Sequence, residues 1–117
     1  MQNVKIWHNP RCSKSRNVAA LLEEKGVEAE VVKYLDTPPS KEEIIEVLKM
    51  LNISARQLMR TKEDIYKTLD LKNETDDEKL IDAMVKNPKL IERPIVIKDG
   101  KAAIGRPIEN IIDLLNE

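Results

Sequence analysis

The stretch that decides the fold is VKIWHNPRCSKSRNVAALLEEKG, residues 4–26. Its first four residues form a short apolar-rich run that stops at Asn9-Pro10, which predicts a strand followed by a turn. From Cys12 onward the apolar residues Val18, Leu21 and Leu22 recur at helical spacing, Glu23 and Lys25 are polar, and Gly26 offers a natural stop. The next run, EAEVVKYL at residues 28–35, predicts a second strand. A strand, a helical crossover and a strand predict a parallel pair with a right-handed connection.

Working outward, the middle of the chain is helical in pattern. TPPSKEEIIEVLKML carries a capping box in Ser40 and Glu43, with Ile44, Ile45, Leu48 and Leu51 behind it. Further helices are predicted over Ser54–Met59 and Lys62–Leu69. A last one in this block starts from a second capping box, Thr75 with Glu78, and is ended by Pro88. Pro94–Lys98 then reads as a strand, Asp99-Gly100 as a two-residue hairpin turn, and residues 101–105, KAAIG, as the return strand. A closing helix is expected from Pro107, its buried face made by Ile108, Ile111, Ile112, Leu114 and Leu115. The order β-α-β, helices, β-β-α predicts one α/β domain over residues 1–117. Its expected form is a thioredoxin-like mixed sheet with an inserted helical layer at about residues 40–87.

At 117 residues, one core should remove roughly two-thirds of the unfolded chain's surface from water. Twenty Lys and Arg residues face twenty-one acids, a net charge of -1. This argues against nucleic acid as a partner and confines any positive field to a small site. No apolar run suits a membrane span, and the N-terminal MQNVKIWHNP has neither an apolar h-region nor a small-residue cleavage site, so the expected compartment is the cytoplasm. A lone cysteine there cannot make a structural disulfide.

That cysteine is the chemical centre of the sequence. HNPRCSKSRN, residues 8–17, holds the only Cys and the only His of the chain, together with Arg11, Lys14 and Arg16. A lone cysteine is ordinarily a small buried hydrophobe, but three cations within two turns suit a thiolate better than an inert thiol. At a helix N-terminus, the unsatisfied N–H groups favour the thiolate and also form a pocket for an oxyanion. Ser13 and Ser15 are candidate donors to sulfur or anion, and equally candidate caps. His8 has two readings: an imidazolium that stabilises the thiolate, or a hydrogen-bonding group that orders the loop.

Spacing counts against two thiol chemistries. Ser15 stands where a C-x-x-C motif needs its second cysteine, so any redox cycle must borrow an external thiol. Val18 stands where a C-x5-R phosphatase needs arginine. One Cys and one His four apart also fall short of a zinc set, so no metal and no bound cofactor are expected.

Four separated motifs complete the reading: HNPRCSKSRN, LMR ending at Arg60, ERPIVI with Arg93-Pro94, and IGRP with Arg106-Pro107. Together they resemble the glutathione- and glutaredoxin-linked arsenate reductases of bacteria, over nearly the whole chain. The resemblance implies a thioredoxin-like fold with a nucleophile at Cys12, oxyanion-binding arginines at Arg60, Arg93 and Arg106, and a cis proline at Pro94. It implies arsenate or a similar oxyanion as substrate, glutathione as co-substrate and glutaredoxin as partner. Planar guanidinium forks suit such a substrate, since they hold clustered anionic oxygens by charge-assisted bonds. Two other readings stay open: a redox-sensing regulator that binds RNA polymerase, against which Ser15 counts, and a glutathione-dependent monothiol oxidoreductase, to which C-x-x-S is suited.

Overall fold

In a computed structural model the described residues are 4–105 and 108–116. The expectations placed on Arg106 and Pro107 lie outside them. The chain divides into two compact units, residues 1–37 with 93–117, and residues 38–92.

The first unit begins with β1 (Val4–Trp7), α1 (Ser13–Glu24) and β2 (Ala29–Val32), and ends with β3 (Ile95–Lys98), β4 (Lys101–Ile104) and α6 (Glu109–Leu115). The sheet order is β2-β1-β3-β4; β1 and β2 are parallel, and the other two pairs antiparallel. Apolar side chains at alternate positions, Val4 and Ile6 on β1 and Val96 opposite Ile6 on β3, meet Val18 and Leu22 of α1 and Ile111 and Leu114 of α6. Each such burial stabilises the fold by about 1.5–3 kcal/mol relative to an exposed side chain.

Local chemistry ends these elements where the sequence says it should. Gly26 takes φ +69, its N–H bonds to Glu23 O, and the Val27 N–H reaches back to Leu22 O at 2.9 Å, a Schellman closure with Val27 following the helix. Asp99 and Gly100 both have positive φ, as a two-residue hairpin matched to strand twist requires. β2 is shorter than the run 28–35 predicts. Its partner stops at Trp7, opposite Val32, and the Asp36 and Thr37 N–H groups then turn the chain onto Lys33 O.

Lys98, buried at the end of β3, donates from Nζ to Leu114 O at 3.3 Å and Leu115 O at 3.1 Å, placing a cation on the last carbonyls of α6. Lys98→Met should therefore lower unfolding free energy by about 1–3 kcal/mol, read by denaturant titration.

The second unit holds α2 (Lys41–Leu51), α3 (Ala55–Leu58), α4 (Asp64–Thr68) and α5 (Asp77–Lys86), with short 3-10 turns at Leu71–Asn73 and Pro88–Leu90. The Ser40–Glu43 capping box forms as expected, and a second one forms at Ser54 with Gln57. The box expected at Thr75 does not form. Asp76 is the N-cap of α5, its carboxylate accepting from Glu78 N at 2.9 Å, and an ionised acceptor suits the positive helix end better than a hydroxyl. The helix expected over 62–69 contracts to α4, which Glu63 precedes as N-cap. Arg56 ties this unit together: its guanidinium donates to Tyr66 OH, to Leu71 O at 2.9 Å and to Glu74 O.

Candidate active site

The turn from β1 to α1 is built from its own polar groups. The His8 N–H bonds to Val32 O at 2.9 Å, fixing the loop to β2. Asn9, buried, accepts from Arg11 N at Oδ1 and from Cys12 N at its carbonyl, each at 3.0 Å. The Asn9 N–H donates to Ser15 Oγ at 3.0 Å, and Ser15 Oγ lies 2.6 Å from His8 Nδ1. The Ser15 hydroxyl therefore joins His8 and Asn9, the direction of its bond to His8 Nδ1 following the tautomer of the imidazole.

This arrangement bears on the readings of His8 and Ser15. Burial pushes the His8 pKa below its ordinary value, with Lys33 and Arg16 acting in the same direction, which disfavours the imidazolium. The imidazolium reading does not match these surroundings. The Ser15 hydroxyl, fully buried, faces His8 and Asn9, and it is the backbone N–H of Ser15 that reaches the cysteine.

Cys12 is the N-cap of α1, half-buried, with φ -95 and ψ 123. Burial pushes its thiol up. Opposing this are the N–H of Ser15, the Arg93 side chain as a hydrogen-bond donor, the N–H of Lys14, and the Arg93 charge; together they outweigh burial and lower the pKa from 9.0 to about 7. Cys12 thus stands at the N-cap, where the N–H groups of the second and third helical residues favour its thiolate.

The cation that acts on the thiol differs from the three that flank it in sequence. Arg11, Lys14 and Arg16 are exposed, and Arg16 Nη1 donates to Pro10 O at 3.2 Å. Arg93 arrives through the sheet instead. Trp7 pairs with Ile95, so the segment entering β3 lies beside the segment leaving β1, and the Arg93-Pro94 bond is cis. Gly105 fixes this segment from the other side: its N–H bonds to Pro94 O at 2.8 Å, and an added Cβ would lie 2.8 Å from both Pro94 Cγ and Val18 Cγ2.

A direct test of this electrostatic arrangement is iodoacetamide alkylation of Cys12 against pH. The rate should rise with a midpoint near 7, and in Arg93→Ala the midpoint should move toward 9.0, because a donor and a charge that favour the thiolate are both lost. An unmoved midpoint would rule out Arg93 as the acting cation.

Of the other predicted oxyanion ligands, Arg60 belongs to the second unit. Its N–H bonds to Leu90 O at 2.6 Å, and its Nη1 is ion-paired with Glu63 Oε1. Arg106 lies outside the described residues. Among the described residues no three His, Cys, Asp or Glu side chains gather as a metal set, and no helix is long and apolar enough to cross a membrane. Sequence reasoning missed Asn9, whose Asn-Pro context signals only a turn, and Glu63, whose signal is R-x-x-E spacing.

A β-α-β start, a β-β-α finish, a cis proline beside the sheet and a cysteine at the N-cap of the first helix define a thioredoxin-like protein. The ArsC family profile matches residues 7–114, and the chain belongs to that family. An arsenate reductase of Neisseria meningitidis serogroup A is 55% identical over 113 residues, 95% of this chain and 97% of its own. An arsenate reductase of Escherichia coli is 39% identical over 116 residues, 98% of this chain and 82% of its own. The solved structure of the arsenate reductase from Vibrio cholerae superposes with a TM-score of 0.93 at 46% identity, covering 96% of this chain and 97% of that one.

Proposed function

We propose that the protein is an arsenate reductase that uses Cys12 as nucleophile and glutathione with glutaredoxin as reductants. The observation that carries this reading is the Cys12 thiol, lowered to about 7 by helix N-terminal N–H groups and by Arg93, a cation able to hold an oxyanion as well. The names of the relatives support the same reaction.

In the first step the Cys12 thiolate attacks pentavalent arsenic, an S–As bond forms, and one oxygen leaves as water after protonation. Arg60, Arg93, Arg106 and the α1 amides bind the oxyanion and balance its charge as it shifts. Among the described residues His8 and Ser15 support this step by holding the loop. In the second step a glutathione thiolate attacks the Cys12 sulfur. The S–As bond breaks with its electron pair left on arsenic, which falls to the trivalent state and departs as arsenite. Two thiols become one disulfide, which supplies the two electrons. Since the chain has one cysteine, the resulting mixed disulfide with glutathione is resolved by glutaredoxin.

The test is NADPH consumption with glutathione, glutaredoxin and glutathione reductase supplied. Oxidation that requires both arsenate and this protein is the expected result. No turnover, together with no protection of Cys12 from alkylation by arsenate, would remove the arsenate reading.

A further inference from the structure

We infer that Glu63 is the positioning residue for Arg60, holding its guanidinium in a fixed orientation before an oxyanion arrives; this rests on the role given to Arg60 under the proposed function. The Glu63 N–H donates to Arg60 O at 3.2 Å, so residues 60–63 close a four-residue turn, and the ion pair between Arg60 Nη1 and Glu63 Oε1 closes the same turn through the side chains. The turn is itself anchored. Arg60 N bonds to Leu90 O at 2.6 Å, Met59 bridges Ile91, and Glu92 N bonds to Leu58 O at 2.8 Å.

The position of Glu63 is informative because it is the N-cap of α4 and yet makes no side-chain cap. Ser, Thr, Asp or Asn would ordinarily stand there to satisfy the first N–H groups of the helix. Glutamate is long enough to reach back across the turn instead, and its carboxylate is directed to the guanidinium. Both side chains are about three-quarters buried, at 25% and 24% exposure, so the pair is less open to solvent screening than one on the surface. An arginine has five N–H donors in a rigid fork; with Nη1 engaged by one carboxylate oxygen, other donors stay available for a ligand while the plane of the group is set. Binding then orders one long side chain fewer.

The experiment is a double-mutant cycle in the coupled NADPH assay, using Glu63→Ala, Glu63→Gln, Arg60→Ala and the Arg60→Ala/Glu63→Ala double variant. Glu63→Ala should raise KM for arsenate roughly two- to tenfold with kcat little changed, as expected for loss of preorganised binding. The same substitution should leave KM unmoved when Arg60 is already alanine, and Glu63→Gln, whose amide oxygen still accepts, should restore part of the loss. Gln also keeps the size of the side chain, so it carries the test if the alanine variant is poorly folded. A KM that falls on loss of Glu63 would show the carboxylate competing with the anion and overturn the inference, as would an equal rise without Arg60. A wild-type protein that does not turn over arsenate overturns the proposed function, and this inference with it. Normal turnover with a KM indifferent to Glu63 overturns the inference alone.

Discussion

Cys12→Ser should abolish arsenate-dependent NADPH oxidation and leave the protein about as stable as the wild type. Both halves follow from where the residue sits. Cys12 is the N-cap of α1, in extended geometry, and the N–H groups that lower its thiol belong to Lys14 and Ser15, the second and third residues of the helix. Serine is a preferred N-cap, and its oxygen accepts from those same N–H groups, so unfolding free energy should stay within about 1 kcal/mol of wild type. Catalysis has no such substitute. A serine hydroxyl is not appreciably ionised at neutral pH, and even an oxygen ester of arsenate leads nowhere, because oxygen cannot form the disulfide that delivers two electrons. Melting followed by circular dichroism, beside the coupled assay, separates the two effects. Sustained turnover by the serine variant would sink the thiol mechanism; lost activity with a lost fold would say that Cys12 is needed for structure.

The same residue shows why parts of the site were legible in the sequence and others were not. A cysteine after Asn-Pro and before an apolar period could be placed near a helix N-terminus because helix starts are local chemistry, although the caps expected there were Ser13 and Ser15 and the N-cap is Cys12 itself. Gly26 and Asp99-Gly100 were equally readable, since each answers to a backbone angle that few other residues adopt. The cation acting on the thiol was not, because Arg93 reaches Cys12 only through the Trp7–Ile95 pairing, and register between strands 88 residues apart in sequence is a tertiary fact. The length of β2 was hidden for the same reason: it is set by where β1 stops. On α2, Ile44 and Val47 are the buried residues, whereas Leu48 and Leu51 are half-buried. Helical periodicity identifies a face and leaves its rotation to the packing. The hydroxyl of Ser15 points to His8 and Asn9, a choice that no spacing encodes.

The second large effect is expected at a residue without a side chain. Gly105→Ala should lower unfolding free energy by about 1–3 kcal/mol or more, and should disturb the thiol as well. A Cβ there would stand 2.8 Å from Pro94 Cγ, 2.8 Å from Val18 Cγ2 and 3.2 Å from Pro94 Cδ, and neither neighbour can yield cheaply. The proline atoms belong to a closed ring. Val18 is fully buried and β-branched, held in the middle of α1 with little rotamer freedom. Relief therefore requires backbone movement, either of α1, whose first turn holds the thiolate, or of the segment at Pro94, to which Arg93 is joined. Either movement loosens a contact that lowers the Cys12 pKa, so the alkylation midpoint should rise from about 7 together with the loss of stability. Gly26→Ala supplies the control. That glycine has open space around it and φ +69, so alanine there should cost about 1 kcal/mol through backbone strain at the far end of α1. Its alkylation midpoint should stay where it is. If both variants lose stability and only Gly105→Ala shifts the midpoint, the effect lies in the packing that joins Pro94 to α1, and a shift in both would point to α1 as a whole.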